Sequence, residues 1–181
     1  MIIERLDPSI HDRDGFDCGE PSLNQFLKTY ANQFRERGLG VTWVGIEEAA
    51  PHRIIGYYTL SMSSVMHKEL ENRRIRLSRI PVVLLGRLAI DQQTQGRGLG
   101  TQLLIHALYA ALQLSTQIGA HAVVVDPLDA RAAAFYQHFD FQPMSGAPER
   151  LYLEIKHITK TLGPSSAVVS AAPHAIRPDP M

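Results

Sequence analysis

The sequence predicts an α/β fold of the mixed α+β kind, in which a central, twisted, mixed sheet carries helices on both faces. Three observations predict it. A nearly continuous apolar run, Val82 to Ile90, leads through the glycine-dense turn Gln95-Gly96-Arg97-Gly98-Leu99-Gly100 into a long segment, opening at Thr101, whose apolar residues recur at helical spacing. A short apolar run, Ala122 to Val125, follows; strand, helix, strand in that order makes a βαβ unit with parallel strands and a right-handed crossover. Upstream, Val41 to Glu47 and Ile54 to Val65 are rich in β-branched and aromatic residues and are joined by a connection containing Pro51, which predicts adjacent strands.

The elements follow in order. Ile2 to Leu6 reads as a short first strand. Leu23, Phe26, Leu27, Tyr30, Ala31 and Phe34 share one helical face, with Ser22 and Gln25 placed as a capping box and Gly38 as the stop. After the two strands just named, residues 66 to 81 form a polar, arginine-bearing crossing that ends at Pro81. Val82 to Ile90 is apolar except for Arg87, the pattern of a strand buried on both faces. Leu103, Leu104, Ala107, Leu108, Ala111, Leu114 and Ile118 define the next helix, stopped at Gly119. Asp129 is placed to cap a shorter helix through Phe139, and Leu151 to Ile155 alternates as a last strand. From Gly163 the chain offers Pro, Ser and Ala without periodicity. Residues 1–160 are therefore expected as one domain and 161–181 as a disordered tail. No internal repeat is present.

Composition narrows the class. A chain of 181 residues can bury a sizeable core, and 18 basic residues balance 18 acidic ones, so global charge favours no particular partner. The single Cys18 excludes an internal disulfide and suits a reducing cytosol. The eight histidines show no metal-ligand spacing, and one cysteine cannot build a thiolate cluster, so no metal is expected. Met1 to Pro8 carries Glu4, Arg5 and Asp7 where a signal peptide needs an apolar stretch, and no run approaches membrane-spanning length. The expectation is a soluble cytoplasmic protein without membrane contact.

The glycine turn is a place to hold phosphate: glycines can take φ > 0 and let backbone N–H groups converge on an anion, while the helix that follows adds unpaired amides and a positive dipole end. Its spacing excludes a dinucleotide fingerprint, because Thr101 or Leu103 stands where the third glycine is needed, and no Gly-Lys-Ser/Thr closes a P-loop. What remains is Q-x-x-G-x-G, carried by Gln95, Gly98 and Gly100, or simply a flexible strand-to-helix turn.

That motif, in that place, resembles the acyl-CoA pyrophosphate loop of the GNAT superfamily of N-acetyltransferases, and the order of elements matches the GNAT layout over about residues 1 to 158. The resemblance implies acetyl-CoA as co-substrate. Its pyrophosphate would be held by Gln95, Gly96, Arg97, Gly98, Leu99, Gly100 and Thr101. It also implies that the strand before the loop and the next parallel strand splay apart, so that Leu88, Ala89 and Ile90 contact the acetyl and pantetheine groups and offer oxyanion donors. Ala132 to Phe139 resembles the family's Phe-Tyr helix, which makes Tyr136 the candidate general acid for the leaving thiolate, with Phe135 beside it at the coenzyme. Ring burial alone is the other reading of Tyr136. The family usually continues with Gly-Phe; here the pair is Asp140-Phe141, which implies a local shift at most.

Four segments resemble a narrower group, the acetyltransferase toxins of bacterial toxin–antitoxin pairs: Phe16 to Gly19, Leu23 to Leu27, Gly56 to Ser61 and Leu84 to Asp91, with Gly86 where Ala is expected. Members acetylate the α-amino group of aminoacyl-tRNA, block translation, are silenced by a ribbon-helix-helix antitoxin and commonly dimerise, so the same is implied here. Two features of the residues are compatible. No side chain stands out as a strong base, and an α-amine with a pKa near ~8 needs little help. Lys68, Arg73, Arg74, Arg76 and Arg79, with Arg35 and Arg37 at the end of the first helix, form a basic strip that could seat tRNA or be ordinary solvated surface. The remaining readings are a GNAT enzyme acting on a small amine or a protein N-terminus, and a GNAT-fold binding module without catalysis.

Overall fold

In a computed structural model of the chain, residues 1–70, 75 and 77–162 are described. Strands β1 (Ile2–Arg5), β2 (Val41–Glu47), β3 (Ala50–Met66), β4 (Arg79–Ile90), β5 (Ala122–Val125), β6 (Gln142–Met144) and β7 (Ala147–Glu154) form one seven-stranded sheet in the order β1-β2-β3-β4-β5-β7-β6. Every neighbouring pair is antiparallel except β4 and β5. The parallel pair is joined by helix α4 (Leu99–Ile118), the βαβ unit expected from the apolar pattern.

The two faces carry different helices. Helix α1 (Pro21–Gln25), a π-turn at Phe26–Tyr30 and α2 (Ala31–Glu36) cover one face, where Phe26, Leu27 and Ala31 pack with Phe16, Val44, Tyr57 and Ala89. On the other face, Leu103, Leu104, Ala107, Leu108 and Ala111 of α4 are buried against Tyr58, Leu60, Val83 and Leu85. Each such buried leucine contributes about 1.5–3 kcal/mol. Tyr136 of α5 (Ala130–Gln137) and Ile158 of α6 (Ile155–Leu162) join the same cluster. The short helix α3 (His67–Leu70) follows β3 and buries Leu70 with Val65, Ile80 and Met144.

Several boundaries depart from expectation, each for a local reason. The first helix is capped by Glu20, whose Oε1 accepts from the Ser22 amide at 3.3 Å, and Pro21 takes the first helical position, so the Ser22–Gln25 capping box is not used. The two strands flanking Pro51 meet in a two-residue turn, and Pro51 lies at the start of β3 beside a register slip at Gly45–Glu47, where a missing N–H costs no ladder bond. β4 begins at Arg79 and takes Pro81 into the strand, just before the parallel ladder with β5 starts at Val82. Helix α4 starts at Leu99, two residues early, and α5 ends at Gln137 rather than Phe139. Strand β6 and helix α6 were not anticipated. The expected tail from Gly163 lies outside the described residues, as do Arg73, Arg74 and Arg76 of the proposed basic strip.

Candidate functional site

The site begins with a fault in a ladder. Along β3 and β4, Thr59 opposes Arg87 and Leu60 opposes Leu85, which leaves Gly86 as an extra, unpaired residue: a β-bulge. The bulge reverses which face each later residue occupies. Val83 and Leu85 face α4, and beyond the bulge Leu88 and Ile90 take over that face, while Arg87 and Ala89 turn toward α1 and α2. An unbroken period of two would have put Arg87 into the α4 core.

The bulge is also where the parallel pair parts. β5 ends at Val125 opposite Leu85, while β4 runs on to Ile90 with only β3 as partner. The edge of β4 from Gly86 to Ile90 is therefore open on the β5 side, and the chain after β5 leaves at Asp126. The resulting cleft is lined by Gly86, Arg87 and Leu88 on one wall, Asp126 on the other, and Leu23 and Tyr136. This is the separation of strands that the family resemblance implied, and it puts Leu88, Ala89 and Ile90 along an open strand edge.

Beyond Ile90 the turn is fixed from behind. Asp91 is 3% exposed; its carboxylate accepts from the amides of Gln93 at 3.1 Å and Asp17 at 3.2 Å, and Arg53 lies 3.6 Å away. The Thr94 hydroxyl donates toward the Ile55 and Asp91 carbonyls at 3.2 and 3.1 Å. The Gln95 side-chain amide donates to the carbonyls of Cys18 at 3.1 Å and Ile90 at 3.0 Å. Gln95, expected among the coenzyme contacts, is thus engaged as a brace that ties the turn to the N-terminal segment.

What the brace leaves outward is backbone. Gly96 and Gly98 have φ of +78° and +74°, a region where an L side chain is strained by about 1–2 kcal/mol. Gly98 caps α4 without a side chain, so the amides of Leu99, Gly100 and Thr101 head a 20-residue helix and have no intrahelical acceptor. Gly96, Arg97 and Gly98 are exposed. This arrangement suits a polyanion: amides in successive turn residues, reinforced by the positive end of a long helix. Arg97 pairs with Glu47 across 3.4 Å of exposed surface, a contact weak enough to give way to a better anion.

Tyr136 sits on α5, whose start is capped by Asp129 accepting from the Ala132 amide at 2.7 Å. Its ring is 7% exposed and packs edge-on against Phe135 at 5.3 Å and tilted against Phe141 at 5.5 Å. Among the described residues its hydroxyl has no hydrogen-bond partner. Burial pushes its pKa well above the usual tyrosine value, so the phenol is neutral and available as a donor. Asp140, where Gly is the family habit, takes φ +62° and brings Phe141 back onto Tyr136. Phe135 reaches the loop: a Cβ on Gly100 would lie 3.8 Å from its ring.

The basic residues divide. Arg35 and Arg37 are exposed at the end of α2, with Arg35 bonded to Asn32 at 3.0 Å. Lys68 is exposed on α3, and Arg79 starts β4 with its guanidinium 3.5 Å from Ser64. Among the described residues no hydrogen bond or ion pair links the two groups. No set of three or more His, Cys, Asp or Glu side chains is arranged to hold a metal ion among the described residues, and no helix is long and apolar enough to cross a membrane.

Two residues at the cleft were not assigned a role from the sequence. Asp126, paired with Arg150 at 2.6 Å, follows a fully buried parallel strand at its carboxyl end, the position where open α/β sheets form crevices. Arg87 was visible as a lone charge in an apolar run, but its placement depends on the bulge.

Residues 38–143 match the family model described as an acetyltransferase (GNAT) domain. The tRNA-acetylating toxin of Mycobacterium tuberculosis (strain ATCC 25618 / H37Rv) is 36% identical over 154 residues, covering 84% of this chain and 91% of that one. A structure of AtaT complexed with acetyl-methionyl-tRNAfMet superposes with a TM-score of 0.82 at 31% identity, covering 90% of this chain and 99% of AtaT. A tyrosine-to-phenylalanine mutant of the AtaT toxin, bound to the C-terminus of the antitoxin AtaR and acetyl-CoA, superposes with a TM-score of 0.77 at 31% identity, covering 89% and 97% of the two chains.

Proposed function

The chain belongs to the GNAT acetyltransferase family, and from that premise we propose that it transfers the acetyl group of acetyl-CoA to the α-amino group of aminoacyl-tRNA, acting as a toxin that stops translation. The observation that carries the proposal is that the open edge of β4 and Tyr136 line one cleft, and that β4 runs on from that cleft into the turn whose amides head α4.

The chemistry follows from these groups. The amides of Gly96 to Thr101 bind the coenzyme's diphosphate, with Arg97 released from Glu47 to add charge. The open edge at Leu88, Ala89 and Ile90 receives the pantetheine arm, and an N–H there stabilises negative charge as it grows on the thioester oxygen. The acceptor nitrogen attacks as the free amine. With an α-amino pKa near ~8, about a tenth of it is neutral at pH 7, against fewer than about one lysine in a thousand. As the C–N bond forms and the C–S bond breaks, Tyr136 donates its proton to the departing thiolate, the amine loses its own proton to solvent, and the Tyr136 phenolate takes one back from solvent to close the cycle.

The toxin's partner is an antitoxin, a reading the complex of AtaT with the antitoxin AtaR supports; its ribbon-helix-helix class and the homodimeric assembly rest on resemblance alone. It works in the cytoplasm, where charged tRNA is found. Arg35, Arg37, Lys68, Arg73, Arg74, Arg76 and Arg79 serve as phosphate contacts for that RNA. Thiol release from acetyl-CoA, measured in parallel with aminoacyl-tRNA, free amines and peptide N-termini, tests the assignment. Release confined to aminoacyl-tRNA supports it; release with small amines or peptides alone replaces it; none with any acceptor removes catalysis.

A further inference from the structure

The arginines around the cleft fall into two kinds. Arg53, Arg97 and Arg150 each face a carboxylate, at 3.6, 3.4 and 2.6 Å. Arg87 faces none. Its guanidinium lies 3.5 Å from the centre of the Phe26 ring and 5.5 Å from that of Phe34, and among the described residues it has no hydrogen bond or ion pair. It is half-buried and lines the cleft one residue past the bulge, on the wall opposite Asp126.

Partial burial lowers the pKa of this guanidinium, and stacking on a ring engages its face while its N–H edge keeps no protein partner among the described residues. An edge of paired donors positioned by an aromatic ring is a fork for an oxyanion with two free oxygens. Position decides which oxyanion. Arg87 and Ala89 point to the α1 and α2 face, whereas the glycine loop leads into α4 on the other face, so the coenzyme's diphosphate has its own amides elsewhere. An aminoacyl ester has no free carboxylate; the anion covalently nearest its amine is the phosphodiester that joins the terminal nucleotide to the rest of the strand.

We infer that Arg87, held over the Phe26 ring with Phe34 beside it, binds the phosphodiester next to the 3′-terminal nucleotide of the acceptor RNA and thereby sets the aminoacyl end at the mouth of the cleft. The inference rests on the RNA acceptor proposed above and adds a specific residue to it. Arg87 is a substrate-positioning group; it exchanges no proton with the reacting atoms.

The test compares two acceptors that share the aminoacyl ester: an aminoacyl-adenosine, without phosphodiesters, and the aminoacyl-CCA trinucleotide, which has them. The unaltered protein is expected to prefer the trinucleotide in kcat/KM. In Arg87→Met, which keeps apolar bulk over the rings, that preference should shrink by about 10- to 100-fold, through KM for the trinucleotide rather than kcat. Arg87→Lys, which keeps charge but loses the planar fork, should fall between, and it carries the test if the methionine variant does not fold. Equal losses with both acceptors would overturn the proposal in favour of a structural role, and an undiminished preference would overturn it outright. If the preference survives while inhibition by the antitoxin is lost, the fork binds a protein carboxylate and the RNA assignment is wrong. If the unaltered protein acetylates neither acceptor nor whole aminoacyl-tRNA, the function proposed above falls and takes this inference with it.

Discussion

Replacing Tyr136 by phenylalanine separates a chemical role from a packing one. The ring is 7% exposed between Phe135 and Phe141, and phenylalanine keeps that contact in full. The hydroxyl has no partner among the described residues, so its loss breaks no internal hydrogen bond. Stability should hold to within about 1 kcal/mol, a change in Tm of no more than about 2–4 °C for a chain of this size. Catalysis should not hold. General acids contribute about 10²–10⁴-fold, and burial lifts Tyr136 above its usual value, so donation to a thiolate with pKa about 8.5 runs uphill and the lower end applies. The expected loss in kcat is about 100-fold, equivalent to about 2.7 kcal/mol of barrier. Thiol release at saturating aminoacyl-tRNA, thermal melting and calorimetric affinity for acetyl-CoA, all on one preparation, measure the three quantities. An unchanged kcat, or a drop of several degrees in Tm accompanying the loss, would refute the reasoning.

Three other perturbations follow from the geometry. Gly98→Ala adds a Cβ with nothing within 4 Å but forces an L residue to φ +74°; a strain of about 1–2 kcal/mol should lower Tm by a few degrees and weaken acetyl-CoA binding about 10-fold, read by melting and calorimetry. Gly56→Ala puts a Cβ 2.7 Å from Ile90 Cδ1 and 3.0 Å from the Ala89 carbonyl, so it should cost about 1–3 kcal/mol in denaturant unfolding; a neutral result would contradict the close approach of β3 to the β4 edge. Burial lowers the pKa of His106, whose Nδ1 shares a 2.7 Å hydrogen bond with the Tyr58 hydroxyl, and of His121. The unfolded chain then binds more protons below its own histidine pKa of about 6.5, so stability is complete above that pH and is lost as pH falls through the lowered folded values. Tm should drop between about pH 7 and pH 5, above the carboxylate range, and a flat profile would contradict the assignment.

Much of this could be read from local pattern. The run from Val82 to Ile90, the glycine turn and the periodic leucines of α4 each declare themselves within a dozen residues, because strand burial, positive φ and helical amphipathicity are local demands. Ile155, Ile158 and Leu162 also stand at helical spacing, so α6 is legible in the local pattern too. Other features are settled only when distant segments meet. Glu20 displaces Ser22 as the cap because Pro21 fixes the first turn. Gln95 reads as a loop residue until the Cys18 carbonyl, 77 positions earlier, arrives beside it. The bulge at Gly86 exists only as a mismatch between two strands, and the orientation of Arg87 depends on it. Tyr136 was legible as a residue type in a helix; its neutrality comes from the aromatic neighbours that α5 and the turn at Asp140 bring together.

The most direct measurement is mass spectrometry of aminoacyl-tRNA after incubation with the protein and acetyl-CoA, followed by nuclease digestion to the terminal aminoacyl-adenosine. The account predicts a single added acetyl group on the amino-acid nitrogen, dependent on acetyl-CoA and strongly reduced with Tyr136→Phe. Aminoacyl-adenosine recovered unmodified, with acetyl-CoA intact, would contradict it.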